Sequence, residues 1–316
     1  MHVLAEAVLK GDRRALARGL SVVEDRRDGY LDLLKDLYRQ GGRARIVGVT
    51  GPPGAGKSTL VNRLIGAYRV MGKTVGVVAV DPSSAFSGGA ILGDRIRMQD
   101  RALDPGVFIR SMATRGHMGG LARATSDALV VLDAAGFDVI LVETVGVGQD
   151  EVDIVREADT VLVLLVPGLG DDIQAIKAGI MEIADIFVIN KADREGVERV
   201  ERELRAALQL AEAASDWVPP ILKTVASRDE GTAEVVSAVE AHGEHLCGAR
   251  SESRLRLKYG QRFRDLLAER FLLGLRSRWL SEEQEARIVQ AFIRREADPY
   301  SAAEEILARI RWEDRP

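Results

Sequence analysis

The sequence predicts an α/β protein with a mostly parallel central sheet flanked by helices, and with helical extensions at both ends. The main observation is a series of seven short runs, rich in β-branched residues, that alternate with helical stretches. These runs are continuously apolar, which is typical of strands buried on both faces of a parallel sheet. In chain order they are ARIVGVT (44–50), TVGVVAV (74–80), GVFIR (106–110), FDVILVE (137–143), TVLVLLV (160–166), DIFVINK (185–191) and PILKTV (220–225).

The same patterns predict three zones along the chain. Residues 1–42 show helical spacing of leucines and end at two glycines, which predicts an N-terminal helical extension. Residues 43–247 contain the seven strands. Residues 248–316 are highly charged with apolar residues at helical spacing, which predicts a C-terminal helical arm.

Composition and charge exclude several classes of protein. The 44 basic and 48 acidic residues give a net charge of −4, with no basic excess that would indicate nucleic-acid binding. The run TVLVLLV is far shorter than the roughly 20 apolar residues that span a bilayer. The single cysteine, Cys247, cannot form an internal disulfide, and the N-terminus lacks the features of a signal peptide. We therefore expect a cytoplasmic protein without a nucleic-acid or membrane partner.

A phosphate-binding motif follows the first predicted strand. GPPGAGKST matches G-x-x-x-x-G-K-S and lies between a strand and a helix, the context that this motif requires. Its glycines allow the backbone N–H groups to surround phosphates at the positive end of the helix dipole. Lys57 would contact the β- and γ-phosphates, and the Ser58 hydroxyl would bind Mg²⁺. The predicted fold is therefore that of a P-loop NTPase, with nucleotide contacts from Gly51, Pro52, Pro53, Gly54, Ala55, Gly56, Lys57, Ser58 and Thr59.

A second motif predicts which base is bound. Asn190, Lys191 and Asp193 form N-K-x-D at the carboxyl end of a predicted strand, where open α/β sheets bind ligands. The Asp193 carboxylate could accept hydrogen bonds from N1–H and N2–H₂ of guanine, which adenine does not offer. Alternatively, Asp193 caps the helix that follows it. The segment 225–227 after the last strand would complete the base pocket, through the residues Val225, Ala226 and Ser227.

Carboxylates at strand ends predict a metal site beside the nucleotide. Glu143 ends an apolar strand, and a metal ion on the nucleotide would give this charge a partner. Asp81 ends the second strand and is predicted to bind the metal or activate water. Gly146, in E-T-V-G, would approach the γ-phosphate through its N–H, and Gln149 would either orient the attacking water or simply begin a solvated helix. Alternatively, the Glu143 carboxylate caps a helix or lies at the surface.

Five segments in fixed order resemble the MeaB/MMAA family, which has also been labelled ArgK or lysine/arginine/ornithine transport ATPase. The segments are GPPGAGKST, DPSSAFSGGAILGDRIRM, SMATRGHMGGLA, ETVGVGQDEVDI and NKAD. The resemblance covers essentially the whole chain, and the second and third segments are more specific than the P-loop. It implies a GTPase that gates cofactor loading of a cobalamin-dependent acyl-CoA mutase, methylmalonyl-CoA mutase by default, and protects that enzyme. It also implies a homodimer formed by the C-terminal arm.

The resemblance also implies roles for single residues. Lys57 is similar to the P-loop lysine, and Asp81, Asp94 and Glu143 resemble the acidic residues around the metal and the γ-phosphate, with Ser58 as a further Mg²⁺ ligand. Asp171 and Lys177 resemble a mobile switch through which the partner accelerates hydrolysis. In the expected roles, Lys57, Asp81 and Glu143 are catalytic, and Mg²⁺ accompanies GTP.

Two other functions are compatible with parts of the sequence. An ATP-using kinase of a transport system would fit the older label, but N-K-A-D argues against ATP. A metal-insertion GTPase usually carries a cluster of histidines or cysteines, whereas this chain has four scattered histidines and one cysteine.

Arg110 and Arg115 are either surface residues or candidate arginine fingers.

Overall fold

The computed structural model describes residues 2–81, 101, 103–113, 120–144, 157–168, 183–211, 216–246 and 249–308. The chain divides into two compact units, Met1–Ser251 and Glu252–Pro316. The predicted division into residues 1–42, 43–247 and 248–316 remains a prediction. Among the described residues, no helix is both long and apolar enough to cross a membrane.

Seven parallel strands form the sheet of the first unit, which confirms the predicted fold class. Their spatial order is β3-β2-β4-β1-β5-β6-β7, and all paired neighbours run parallel. The predicted run 106–110 is extended to Ala113, because β3 pairs with β2 along its full length. The strands are β1 (Arg45–Thr50), β2 (Val75–Asp81), β3 (Val107–Ala113), β4 (Val139–Thr144), β5 (Thr160–Leu165), β6 (Ile186–Asn190) and β7 (Ile221–Thr224).

Aspartates fix the starting points of three central strands. Each lies directly before a strand, and its carboxylate accepts a backbone N–H from a neighbouring strand. An apolar strand whose first backbone donors are paired in this way has a defined register. The pairs are Asp138 with Thr74 (2.7 Å), Asp159 with Ile46 (2.9 Å) and Asp185 with Val161 (2.8 Å).

Helices cover both faces of the sheet. The described helices of the chain are α1 (Val3–Leu9), α2 (Arg13–Glu24), α3 (Tyr30–Tyr38), α4 (Lys57–Val70), α5 (Gly120–Ala134), α6 (Val197–Ala211), α7 (Thr232–His245), α8 (Ala249–Trp279), α9 (Glu282–Ile293) and α10 (Pro299–Ala308). Those that cover the sheet are α1–α7. On one face, α4 and α7 bury Leu60, Leu64 and Val235 against β1, β2, β4 and β5. On the other face, α5 packs against α1–α3, and Leu20 and Leu33 of these helices are buried there. The α6 helix buries Leu204 on that same face, against β5 and β6.

The second unit consists of helices with many exposed apolar side chains. Ser281 and Gln284 form a capping box at the start of α9. Such a cap stabilises the helix terminus without any tertiary contact. The exposed large apolar residues of this unit include Leu255, Tyr259, Phe263, Leu267, Phe271, Leu272, Trp279, Val289, Ile293, Tyr300 and Leu307.

Candidate nucleotide-binding site

The predicted P-loop lies between the carboxyl end of β1 and the N-terminus of α4. Gly51, Gly54 and Gly56 have φ angles of +144°, +78° and +87°, in the region that favours glycine. A Cβ at Gly51 would overlap the carbonyl oxygen of Leu164. No described side chain caps the start of α4. A helix N-terminus without a side-chain cap is a common binding site for an anion.

Lys57 folds over the loop that precedes it. Its Nζ donates to the carbonyl oxygens of Gly51 (2.6 Å) and Pro52 (3.0 Å), and the residue is only 6% exposed. Charged hydrogen bonds of this kind hold the ammonium group inside the loop. Phosphate oxygens could replace these carbonyls as acceptors at the same place.

Glu143 faces the P-loop. It lies at the end of β4, in register with Val49 of the adjacent β1, and is 4% exposed. The Ser58 hydroxyl donates to Glu143 Oε1 at 2.5 Å. The predicted Mg²⁺ ligands Ser58 and Glu143 are thus brought together, and a hydroxyl beside a carboxylate is a donor set that suits a hard cation. The residues that are present therefore fit a magnesium site.

The other predicted metal and switch residues are only partly covered by the structure. Asp81 is the last residue of β2, which pairs with β4 such that Ala79 is in register with Glu143. The backbone of Asp81 therefore reaches the same edge of the sheet as the P-loop; its side chain is not described. The predictions for Asp94, Gly146, Gln149, Asp171 and Lys177 lie outside the described residues, as does the one for Arg115.

An open cavity of about 180 Å³ adjoins the P-loop at the ends of β6 and β7. The structure places all three N-K-x-D residues and the segment 225–227 in its wall, as the sequence predicts for a base pocket. The lining residues are Gly56, Thr59, Asn190, Lys191, Asp193, Arg194, Val225, Ala226 and Ser227.

Asn190 joins the P-loop to the wall of this cavity. It is 2% exposed, and its Nδ2 donates to the carbonyl oxygen of Ala55 at 2.7 Å. Its Oδ1 accepts from the Thr224 hydroxyl (3.0 Å) and the Ala226 N–H (3.2 Å). Both ends of the amide are thus engaged, so that one side chain fixes the phosphate loop, β7 and the turn after β7 relative to each other.

Lys191 and Asp193 complete the motif. Lys191 has a positive φ of 56°, and its Nζ donates to the carbonyl oxygen of Gly54 at 2.7 Å. Asp193 lines the cavity, and its carboxylate forms an ion pair with Arg228 at 3.4 Å. The alternative that Asp193 caps the next helix is wrong, because α6 begins only at Val197.

Two arginines have contacts that the sequence did not reveal. Arg63, on α4, donates to the carbonyl oxygens of Ala226 and Ser227, both at 2.9 Å. No spacing in the sequence connects these positions, which are 163 residues apart. Arg110 pairs with the buried carboxylate of Glu24 on α2. It therefore joins the N-terminal helices to β3.

Comparison with known proteins identifies the family. Residues 16–277 match the family model described as methylmalonyl Co-A mutase-associated GTPase MeaB. The chain belongs to the MeaB family. The resemblance found in the five sequence segments is thereby confirmed.

Members of the MeaB family from distant organisms are similar over most of the chain. A protein of Pyrococcus abyssi that is named as a predicted GTPase is 50% identical over 313 residues, with 97% of this chain and 96% of that protein covered. GTPase ArgK of Escherichia coli is 38% identical, with 75% of each chain covered. The mitochondrial methylmalonic aciduria type A homolog of Mus musculus is 37% identical, with 73% of this chain and 60% of that protein covered.

A solved structure agrees with the fold. The crystal structure of an LAO/AO transport system kinase superimposes with a TM-score of 0.69 at 26% identity, covering 96% of this chain and 95% of that one. The fold of that structure therefore matches nearly the whole length of the chain.

Proposed function

We propose that this protein binds GTP with Mg²⁺ and hydrolyses it to GDP and phosphate. The observation that carries the proposal is the cavity at the P-loop, whose wall includes Asp193. A carboxylate accepts from the N1–H and N2–H₂ groups of guanine, whereas adenine presents an acceptor at N1. The names of the relatives support GTP as the nucleotide.

The chain's own residues would position and polarise the nucleotide. The N–H groups of the loop 51–56 and the first turn of α4 would bind phosphate oxygens, with Lys57 supplying a positive charge at the transferred group. Ser58 and Glu143, together with the proposed ligands Asp81 and Asp94, would hold Mg²⁺. The bound ion would neutralise charge that develops on the phosphate oxygens. Gly146 would bring a backbone N–H to the γ-phosphate.

We further propose that GTP turnover serves a cobalamin-dependent acyl-CoA mutase. The support is the family description, which names methylmalonyl-CoA mutase. In this proposal the protein gates loading of the cobalamin cofactor and protects the mutase from inactivation. Asp171 and Lys177 would form the switch that the mutase reorganises to accelerate hydrolysis.

The proposed assembly is a cytoplasmic homodimer. The support lies in the second unit, where apolar side chains such as Phe263 (64% exposed) and Ile293 (70% exposed) lie at the surface. Exposed apolar surface of this kind is typical of association sites.

A kinase of a transport system is the second candidate. The structure with a TM-score of 0.69 bears that name. A kinase in this sense would use ATP and transfer the γ-phosphate to a protein, and therefore predicts a preference for adenine. A preference of the cavity for guanine would favour the GTPase, and a preference for adenine would favour the kinase.

The test is nucleotide hydrolysis by the purified protein, alone and with a cobalamin-dependent acyl-CoA mutase from the same organism. We expect turnover of GTP but not ATP, stimulation by the mutase, and loss of turnover in Lys57→Ala. Turnover of ATP in preference to GTP would contradict the GTPase proposal. Turnover of GTP without stimulation by any such mutase would contradict only the chaperone proposal.

A further inference from the structure

Arg63 holds the turn that forms one wall of the base cavity. It lies on α4, four residues after Thr59, which lines the cavity. Its Nε donates to the Ala226 carbonyl and its Nη2 to the Ser227 carbonyl, both at 2.9 Å. A guanidinium that binds two acceptors in this forked way fixes their orientation, which a lysine cannot do.

The planarity of the peptide bond transmits this orientation to the cavity. In a trans peptide the C=O and the following N–H point in opposite directions. Because the Ala226 carbonyl points towards the Arg63 guanidinium, the N–H of Ser227 in the same peptide points away from that guanidinium. Ser227 is exposed and lines the cavity.

The neighbouring N–H groups of this turn are already engaged. Val225 N–H donates to the Glu230 carbonyl at 3.0 Å, and Arg228 N–H to the Val225 carbonyl at 2.8 Å. Ala226 N–H donates to Asn190 Oδ1. Among the described residues of this turn, Ser227 is thus the one whose backbone N–H has no acceptor within the protein. This N–H can donate to a ligand.

We propose that Arg63 is a positioning residue that sets the preference for guanine over adenine, by holding the Ser227 N–H towards the 6-position of the base. Guanine carries an acceptor, O6, at this position, whereas adenine carries an amino donor. A fixed N–H therefore favours guanine and meets a second donor with adenine. This inference rests on the proposed binding of GTP and adds a second determinant to Asp193.

The test uses three nucleotides that share the same phosphates. GDP, ADP and inosine diphosphate are each used to displace a fluorescent GDP analogue from the wild-type protein and from Arg63→Lys. Inosine diphosphate keeps O6 and lacks only the 2-amino group, which Asp193 would read. Effects on phosphate binding cancel in the affinity ratios.

We expect Arg63→Lys to lower the GDP:ADP affinity ratio by about tenfold, which corresponds to one hydrogen bond, and to leave the GDP:inosine diphosphate ratio unchanged. Asp193→Ala should lower both ratios, because adenine lacks N1–H and the 2-amino group and inosine lacks the 2-amino group. Arg69→Lys is the matched control, because Arg69 on the same helix binds Asp104 and the Lys73 carbonyl outside the cavity. It should change neither ratio, and thermal unfolding verifies that each variant is folded.

Three results would overturn the inference. A GDP:ADP ratio that falls by less than about threefold in folded Arg63→Lys would show that the turn holds its orientation without the arginine. An equal fall in both ratios would mean that Arg63 supports the whole pocket. A wild-type protein without preference for GDP over ADP would overturn the proposed GTP binding itself.

Discussion

The contact between Gly56 and Asn190 provides a quantitative test of how the P-loop is joined to the base cavity. Gly56 has a φ of +87°, and an added Cβ would overlap Asn190 Nδ2. Asn190 cannot simply turn away, because its amide is buried and bonded to Ala55, Thr224 and Ala226. We therefore expect Gly56→Ala to break the bond between Asn190 and Ala55.

The expected cost has two contributions. An L-residue in the left-handed region costs about 1–2 kcal/mol. Loss of the hydrogen bond between Asn190 and Ala55 adds about 1–1.5 kcal/mol. Gly54→Ala is the matched control, because Gly54 has a similar φ of +78° and a Cβ there meets no atom within 4 Å. Gly54→Ala should therefore be destabilised only by the cost of the left-handed backbone conformation.

The assay is thermal unfolding of both variants without nucleotide. For domains of 150–250 residues, each kcal/mol lowers Tm by about 2–4 °C. Gly56→Ala should therefore unfold about 2–6 °C below Gly54→Ala. Equal midpoints for the two variants would show that Asn190 is not held firmly against the P-loop.

Three further variants test other parts of the account. Glu143→Gln keeps the shape of the buried side chain and removes its charge. Titration calorimetry should show that Mg²⁺-dependent binding of GTP weakens roughly 10–100-fold, while binding of GDP without Mg²⁺ is retained. An unchanged Mg²⁺ dependence would show that Glu143 is not part of the metal site. Phe263→Glu combined with Phe271→Glu should give monomers on a sizing column that still bind GDP, whereas an unchanged elution volume would contradict the dimer contact. Hydrogen bonds from Thr74 lower the pKa of Asp138, so its stabilising effect is present above about pH 4 and is lost as pH falls through the lowered value. The Tm of Asp138→Asn should therefore fall less between pH 5 and pH 3 than the Tm of the wild type does. An equal fall would show that the Asp138 carboxylate does not contribute to stability.

The strands could be predicted because their signal is local. Continuous apolar runs such as VILV (139–142) and IFVI (186–189) are short, contain β-branched residues and are each preceded by an aspartate. The P-loop could be predicted for the same reason, since nine consecutive residues contain the glycines, the lysine and the serine.

Contacts between distant residues could not be predicted in this way. The bond between Ser58 and Glu143 exists because β4 lies next to β1, and strand order is not written in any local pattern. The same holds for Arg63, whose acceptors follow β7 at the far side of β5 and β6. The helix-cap alternative for Asp193 depended on where α6 begins, and helix boundaries are among the least reliable local predictions.

The most direct test of the central proposal compares hydrolysis of GTP and ATP by the wild-type protein, each with and without a cobalamin-dependent acyl-CoA mutase from the same organism. We expect that GTP is hydrolysed in preference to ATP, that the mutase stimulates this turnover, and that Lys57→Ala abolishes it. Hydrolysis of ATP in preference to GTP would contradict the central proposal.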